Sequence, residues 1–271
     1  MKFRLATVLA IVALILAACS SSATAATTAA PSAAAVSGPL TIYGASSLKA
    51  ALAKAQTTFQ TANPGVTITV STDSSTTLET QIEQGAPADV FLSADTANPA
   101  KLVAKGLASD PVKFAGNLLT VIVPTANPAG IQTPADLAKP AIKIIAAEDS
   151  VPITKYATQL VANLAKEPGY PANFVAKYNA NVVSKEANVA AVVTKVGLGE
   201  GDAAICYVTD AKTSTSVTSI PVPADANVPA TYAGVVIKAS KNLPAANAFL
   251  TWFAGPDGQA ILASFAFLPP S

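Results

Sequence analysis

The stretch VTITVSTDSSTTLETQIEQGAPADVFLS, residues 66–93, changes its hydrophobic periodicity twice. Alternating apolar residues predict a strand at 66–71, and the serine-rich turn DSSTT follows at 73–77. Helical spacing then predicts a helix at 77–84, and an apolar run predicts a second strand at 89–93. Strand, helix and strand in direct succession are typical of parallel α/β structure, so this stretch predicts an α/β fold.

The same alternation continues on both sides of this stretch, and no internal repeat is found. It favours mainly parallel sheets flanked by helices. Strands are predicted at 40–43, 66–71, 89–93, 118–124, 142–146, 203–208 and 232–238. Helices are predicted at 48–61, 77–84, 99–105, 153–165, 171–177, 189–196, 244–253 and 256–265.

A loop rich in Pro and Asn at 125–134 separates two α/β series and predicts a boundary between two lobes. We expect residues 40–121 and 225–271 to form lobe 1, with residues 122–224 inserted as lobe 2. The chain would then cross twice between the lobes. Two crossing segments form a hinge and leave a cleft, which is a common position for a ligand.

A second serine-rich turn, GASS at 44–47, also lies between a predicted strand and a predicted helix. The first N–H groups of a helix lack intrahelical acceptors, and serine hydroxyls add further donors, so such a turn can hold an anion. Serine is also a common N-cap, and either turn alone is explained by capping. Two such turns at the carboxyl edge of one sheet favour an anion site there.

The residues that the chain lacks narrow its function. It contains no histidine, and Arg4, its only arginine, lies in the N-terminal leader. A serine–histidine–acid triad, a histidine-dependent metal site and an arginine fork for carboxylates are therefore excluded, and no motif for an enzyme is found. Without histidine we also expect no group that titrates near neutral pH at the site. Removal of Lys2 and Arg4 leaves 15 basic and 16 acidic residues, too few positive charges for a nucleic-acid partner.

Residues 1–18 read as a signal peptide, because Lys2 and Arg4 precede a short apolar run with small residues at its end. The sequence LAAC at 16–19 resembles the lipobox of bacterial lipoproteins, which implies lipidation of Cys19. Residues 19–39 consist almost wholly of small and polar residues, and we expect a disordered tether. Cys206 is then left without a partner and is interpreted as a small apolar residue of the core.

Several motifs together resemble the molybdate-binding proteins of bacterial ABC importers, which are type II periplasmic binding proteins. They are GASSLKAAL (44–52), SSTTLETQIEQGAPADVFLSAD (74–95), NLLTVIVP (117–124), EDSVP (148–152) and ICYVTDA (205–211). The ending AFLTWFAGPDGQAILASFAF (248–267) is shared more widely among type II binding proteins. The resemblance covers residues 40–268.

The resemblance implies that a tetrahedral oxyanion is bound by neutral donors. These would be the hydroxyls of Ser47, Ser75 and Tyr207 and the backbone N–H groups of Ile153 and Val189. It also implies capture of molybdate, and of tungstate, followed by delivery to an ABC permease and its ATPase. The protein would be an extracytoplasmic monomer on a lipid anchor, with no cofactor and no protein-bound metal.

Some alternatives stay open. Ser46 and Ser74 are the other candidates in the two serine pairs, and the ligand could be tungstate, sulfate or phosphate. An extracytoplasmic enzyme or a sensing lipoprotein on the same scaffold is a further alternative. Two departures from the family pattern concern the pocket: Ile153-Thr154 replaces the frequent Ala-Gly, and Asp73 adjoins the serine donors. We expect Asp73 to turn outward and to form local hydrogen bonds.

The lipobox gives a first prediction. Cys19→Ala should release the protein from membranes, because it removes the sulfur that would carry the lipid. Detergent phase partitioning of cell fractions measures this, with Cys206→Ala as the matched control that should remain membrane-bound. Partitioning of the Cys19 variant into detergent as in the parent would show that Cys19 is not the anchor.

Overall fold

A computed structural model of the protein describes residues 36–270. The predicted signal peptide, Cys19 and the first part of the predicted tether lie outside the described residues. Residues 36–270 form two five-stranded sheets flanked by helices. No helix within this range is long and apolar enough to cross a membrane.

The first sheet has the strand order β2-β1-β3-β10-β4. Its strands, in chain order, are β1 (Gly38–Ala45), β2 (Val66–Asp73), β3 (Val90–Ser93), β4 (Val112–Asn117) and β10 (Ala230–Val236). β1 pairs with β2 and β3 in parallel, whereas β10 pairs with β3 and β4 in antiparallel orientation. This sheet is the centre of lobe 1.

The second sheet has the equivalent order β7-β6-β8-β5-β9. Its strands are β5 (Leu119–Pro124), β6 (Ile144–Ala147), β7 (Val182–Glu186), β8 (Ala203–Tyr207) and β9 (Val217–Ile220). β6 pairs in parallel with β7 and β8, and β5 pairs in antiparallel orientation with β8 and β9. This sheet is the centre of lobe 2.

The predicted two-lobed α/β fold is confirmed, but the sheets are mixed rather than mainly parallel. The antiparallel strand inside each sheet, β10 or β5, follows a segment of the other lobe. Such a strand enters at the edge where the parallel strands end. It must therefore run in the opposite direction to them.

Helices cover both sheets. The helices of lobe 1 are a 3₁₀ helix (Ser46–Leu48), α1 (Lys49–Ala62), α2 (Ser75–Glu83), α3 (Ala97–Ala104), α8 (Leu243–Ala254) and α9 (Pro256–Ser264). The helices of lobe 2 are a 3₁₀ helix (Pro134–Ala138), α4 (Pro152–Leu164), α5 (Phe174–Ala180), α6 (Val189–Gly197) and α7 (Val208–Thr213). The last two helices return to lobe 1, where the Gln259 side chain donates to the carbonyl of Phe114 at 2.6 Å.

The chain first crosses between the sheets at Leu118, and it returns between β9 and β10. The sequence predicted lobe boundaries between residues 121 and 122 and between residues 224 and 225. The first of these boundaries falls inside β5 and would divide this strand between the lobes. All of β5 pairs within the second sheet, because the break in pairing falls at the single residue between β4 and β5. β4, β7, β9 and α7 were not predicted, since each is short and its apolar residues are few or irregularly spaced.

Local sequence explains the bounds of the element that decides the fold. Ser74 precedes α2 in an extended conformation, so Ser75 is its first helical residue. After α2, Gly85 adopts a φ of 90°, and its N–H bonds to the carbonyl of Ile82 at 2.9 Å. Glycine suits this left-handed position because it has no Cβ. The chain then turns into β3 through APAD, which explains the role of the GAPADVF motif in the fold.

The core of lobe 1 contains an aromatic cluster beneath α8. The ring of Phe249 is fully buried, with its centroid 5.2 Å from that of Phe59 and 5.6 Å from that of Phe253. Trp252 packs against Phe59 at 5.1 Å. Aromatic contacts between chain segments this far apart in sequence fix the C-terminal helices on lobe 1.

Phe249→Ala should lower the free energy of unfolding by about 3–5 kcal/mol, because the vacated space lies where neighbouring rings cannot easily collapse. Thr251→Ala, at an exposed position of the same helix, is the matched control and should change stability by less than about 0.5 kcal/mol. Urea denaturation followed by circular dichroism measures both. A loss below about 1 kcal/mol for Phe249→Ala would contradict the assigned packing.

Candidate functional site

The two serine turns of lobe 1 face two helix starts of lobe 2 across one small cavity. Its volume is about 10 Å³. All five residues predicted from the sequence lie in its lining, which comprises residues 45–47, 73–75 and 151–153 with Ala94, Val189 and Tyr207. The fold therefore brings together residues that are up to 160 positions apart in the chain.

Within residues 36–270, helices begin at this cavity in four places. The 3₁₀ helix that leads into α1 begins at Ser46, and α2 begins at Ser75. From lobe 2, α4 begins at Pro152 and α6 begins at Val189. Each start presents N–H groups without intrahelical acceptors and the positive end of a helix dipole. The helix starts therefore bring N–H donors to a cavity whose lining contains no cationic side chain and one carboxylate, that of Asp73.

Each of the two predicted serines forms a hydrogen bond within the protein. Ser75 Oγ accepts from the backbone N–H of Ala94 at 3.0 Å. Ser47 Oγ lies 2.9 Å from the hydroxyl of Tyr232. Both side chains are buried, and the hydroxyl hydrogen of Ser75 remains available to a group in the cavity.

Two other hydroxyls of the lining have no partner among the described residues. They are Ser74 Oγ and Tyr207 Oη, in residues that are only 3% and 1% exposed. Burial of a polar group without a partner is costly, and native proteins mostly avoid it. Burial also raises the pKa of Tyr207, so its hydroxyl keeps its proton and acts as a donor. These atoms indicate that the cavity is built for a hydrogen-bond acceptor.

The start of α4 offers one backbone donor. Pro152, its first residue, has no N–H, and the N–H of Thr154 bonds to the carbonyl of Val151 at 3.0 Å. The N–H of Ile153 is therefore the first one available at this helix start. The Thr154 hydroxyl donates to the carbonyls of Ala147 and Glu148, at 3.1 and 2.8 Å, and so supports the loop behind the helix.

The side chain of Asn188 is the N-cap of α6. Asn188 Oδ1 accepts from the N–H of Ala191 at 3.0 Å. Because the cap engages the third N–H of the helix, the N–H of Val189 at the cavity is left to a ligand. The Val189 side chain itself is buried in the core.

Asp73 lines the cavity but is held by hydrogen bonds on both sides. Its Oδ1 accepts from the N–H of Ser74 at 2.7 Å, which is the expected local bond, and from Asn188 Nδ2 at 2.8 Å. The second bond joins the lobes. A further bond between the lobes runs from Thr76 Oγ1 to the carbonyl of Ser150 at 2.7 Å. The two bonds hold the lobes together beside the cavity.

The size of the cavity restricts its ligand. Organic solutes occupy pockets of roughly 300–1,000 Å³, far larger than this cavity. Two larger grooves exist, of about 1,010 Å³ at the far edge of lobe 1 and about 320 Å³ between α4 and α5. Neither combines helix starts from both lobes. With about 10 Å³ of space the cavity is no larger than the site of one water molecule, so a sugar, peptide or amino acid does not fit in it without separation of the lobes.

Residues 40–268 match the family model described as "Bacterial extracellular solute-binding protein". The chain belongs to the bacterial extracellular solute-binding proteins. Members of this family bind solutes rather than transform them, which agrees with a cavity built of neutral donors.

Individual relatives of this solute-binding protein refine the comparison. The molybdate-binding protein ModA of Mycobacterium bovis is 33% identical over 233 residues, covering 85% of each chain. The periplasmic molybdate-binding protein of Azotobacter vinelandii has a similar structure, with a TM-score of 0.73 at 22% identity, covering 86% of this chain and 100% of that one. The predicted resemblance to molybdate-binding proteins is thereby confirmed.

A sulfate-binding protein has the same fold. SubI of Mycobacterium tuberculosis H37Rv aligns with a TM-score of 0.75 at 21% identity, covering 85% of this chain and 86% of that one. At such identity the likeness shows the fold alone. The fold alone therefore does not distinguish a molybdate-binding protein from a sulfate-binding protein, and the residues of the site must be compared instead.

Sequence reasoning missed four polar residues around the site of this solute-binding protein. Asn188 and Thr76 connect the lobes, and Tyr232 and Asn117 lie behind Ser47. Asn188 could have been suspected as the N-cap of a predicted helix. No local signal links Tyr232 to Ser47, because they are 185 residues apart.

One carboxyl group outside the lining of the cavity has a pKa near neutral pH. Asp210, in the first turn of α7, is buried, and burial raises its pKa to about 7 against a hydrogen bond from the Tyr207 backbone. Its Oδ2 has no partner among residues 36–270. Composition excludes histidine, but it does not reveal which carboxylate is buried.

Other potentially reactive groups are inert. Burial raises the pKa of the Cys206 thiol, so it stays protonated as a core residue. Among the described residues, no three Cys, Asp or Glu side chains are arranged to hold a metal ion.

Asp210 predicts a pH-dependent stability. Its folded-state pKa of about 7 lies above the ordinary value of 3.8, so it contributes stability that is fully present below about pH 4 and is lost as the pH rises to 7. The loss is at most about 1.4 kcal/mol for each pH unit. Asp210→Asn should remove this component, because the amide keeps the acceptor for Tyr207 N–H but does not ionise.

Urea denaturation of both proteins at half-unit steps from pH 4 to 8 measures the difference between the two stability curves. Other titrating groups are common to both proteins and cancel in that difference. Parallel curves across the whole range would contradict the raised pKa.

Proposed function

We propose that this protein binds molybdate, and also tungstate, between its lobes and delivers it to an ABC permease. The observation that carries the proposal is the pair of buried, unpartnered hydroxyls of Ser74 and Tyr207, in a small cavity where helices from both lobes begin. A dianion with four acceptor oxygens can satisfy donors that converge from both lobes. The molybdate-binding relative at 33% identity supports this ligand.

The proposed ligand donors are the hydroxyls of Ser47, Ser75 and Tyr207 and the N–H groups of Ile153 and Val189. All five groups border the same cavity. Ser74 is a further donor, since its buried hydroxyl has no partner in the described part of the chain. Ser46 also lines the cavity and remains the alternative to Ser47.

Selectivity would follow from size and protonation. Sulfate has the same charge and shape as molybdate but shorter bonds to oxygen, so donors set for the larger ion would be left with stretched hydrogen bonds. Each unmade bond in a buried site costs on the order of 1–3 kcal/mol. Phosphate carries a proton near neutral pH, which a site of donors disfavours. Sulfate stays the alternative ligand, because a sulfate-binding protein shares the fold.

The remaining parts of the proposal concern the cellular setting. The protein would be an extracytoplasmic monomer, held at the membrane through lipidated Cys19, and closure of its lobes would present a changed surface to the permease and its ATPase. The family description, a bacterial extracellular solute-binding protein, supports the location and the non-enzymatic role.

Ser47→Ala and Ser75→Ala should each weaken molybdate binding by about one to two decades in Kd. A hydrogen bond to a charged group contributes roughly 1.5–3 kcal/mol, and each substitution removes one. Isothermal titration calorimetry with molybdate, tungstate, sulfate and phosphate measures the affinities. Ser219→Ala, at an exposed position of β9, is the matched control and should bind as the parent does.

Thermal melts give an independent readout. Molybdate at about 1,000 times its Kd should stabilise the parent by roughly 4 kcal/mol, and each serine variant should gain less at the same concentration. Parental affinity in both serine variants would show that the site is wrong. Equal stabilisation by sulfate and molybdate would leave the site intact and overturn the ligand.

A further inference from the structure

Within residues 36–270, Asp73 is the one carboxylate in the lining of the cavity, and it is held there from both lobes. Its Oδ1 accepts from the N–H of Ser74 at 2.7 Å and from Asn188 Nδ2, of lobe 2, at 2.8 Å. The orientation of the Asn188 amide is fixed, because its oxygen accepts from the N–H of Ala191 at 3.0 Å. The atom that faces Asp73 is therefore the nitrogen, which only donates.

Both partners of Asp73 adjoin proposed ligand donors. Ser74 comes directly before Ser75, the first residue of α2. Asn188 comes directly before Val189, the first residue of α6. The cavity has only about 10 Å³ of space, so an anion seated among these residues is in contact with the lining. The carboxylate of Asp73 then lies close to the anion, and the two negative charges repel each other.

The surroundings of Asp73 do not neutralise this repulsion. Its two partners, a backbone N–H and a side-chain amide, are uncharged, and no lysine of residues 36–270 lines the cavity. Two further carboxylates lie near Tyr207, another residue of the lining: burial raises the pKa of the Tyr207 hydroxyl, and the charges of Asp210 and Asp95 raise it further. An anion in the cavity would thus have negative rather than positive side chains around it.

We propose that Asp73 is a specificity-determining residue that lowers the affinity of the site in proportion to the charge of the ligand. The inference rests on the proposed function. Each negative charge on the anion meets the same repulsion, so a dianion loses twice as much binding free energy as a monoanion of the same size. The geometry of the hydrogen bonds, rather than the charge of the anion, then decides which anion is bound. A bound dianion is also held less tightly than its donors alone would hold it.

Molybdate and perrhenate separate charge from size. Both are tetrahedral oxyanions of similar size, but molybdate carries two negative charges and perrhenate carries one. At about 6–7 Å and an effective dielectric constant of about 40–80, Coulomb's law gives about threefold to tenfold in Kd for each unit of ligand charge. Removal of the Asp73 charge should therefore tighten molybdate binding by about tenfold to a hundredfold, and perrhenate binding by the square root of that factor. Sulfate, a smaller dianion, should gain the same factor as molybdate.

Asp73→Asn removes the charge and keeps both hydrogen bonds, because an amide oxygen accepts from Ser74 and Asn188 as a carboxylate oxygen does. Calorimetry at about pH 8, above the pKa of about 7 of Asp210, measures molybdate binding, and competition with molybdate measures the other two anions. Asp110→Asn is the matched control, since this exposed carboxylate precedes β4 at the edge of the first sheet opposite the cavity. It should change each affinity by less than about twofold.

A second variant, Asn188→Ser, tests whether the bond between the lobes holds the carboxylate at the cavity. Serine is also a good N-cap, so α6 keeps its cap, but serine has no amide nitrogen to donate to Asp73. The ratio of perrhenate Kd to molybdate Kd should rise for Asn188→Ser, by less than for Asp73→Asn. In the Asp73→Asn background, Asn188→Ser should leave this ratio unchanged within about twofold, because no charge remains to be positioned.

Equal tightening of molybdate and perrhenate by Asp73→Asn would indicate a change in lobe closure, and it would overturn the inference while leaving the proposed function standing. Molybdate binding that is unchanged or weaker in this variant would do the same. Perrhenate that competes with molybdate in neither protein would also overturn the inference, because the site would then depend on the second charge of its ligand. A parent protein that binds none of the three anions would overturn the proposed function and the inference together.

Discussion

The feature on which this structure depends is the convergence of helix starts from both lobes on one cavity that has no cationic side chain in its lining. Residues 36–270 contain no arginine and no histidine, and lysine is absent from the lining of the cavity. Backbone and hydroxyl dipoles are weak individually, so several must converge on one point. Parallel strands that end at one edge, each followed by a helix, supply such dipoles, and two lobes facing each other double their number.

The chain crosses twice between the lobes, once between β4 and β5 and once between β9 and β10. Each sheet receives one strand from the other half of the chain, β5 or β10, next to the parallel strands whose ends form the site. Tyr232 on β10 and Asn117 at the end of β4 therefore lie directly behind a residue of the cavity. The segments next to the two crossings therefore contact the lining of the cavity.

Local patterns were sufficient to predict most strand-turn-helix units, the two lobes and the two serine-rich turns, whereas the five proposed site residues came from the family resemblance. The patterns were sufficient because capping residues, glycine turns and hydrophobic periodicity are encoded within a few neighbouring positions. Pairings such as Ser47 with Tyr232, Asp73 with Asn188 and the burial of Asp210 depend on contacts between distant segments. The mixed sheets escaped prediction for the same reason, since strand direction is decided by how the lobes are connected.

The hydrogen bonds from Asn188 to Asp73 and from Thr76 to Ser150 join the lobes through residues other than the proposed donors. A ligand enclosed behind them leaves only after the lobes separate, so its residence time is governed by the rate of lobe opening as well as by its own bonds. A partner that pulls the lobes apart would then release the ligand far faster than spontaneous dissociation.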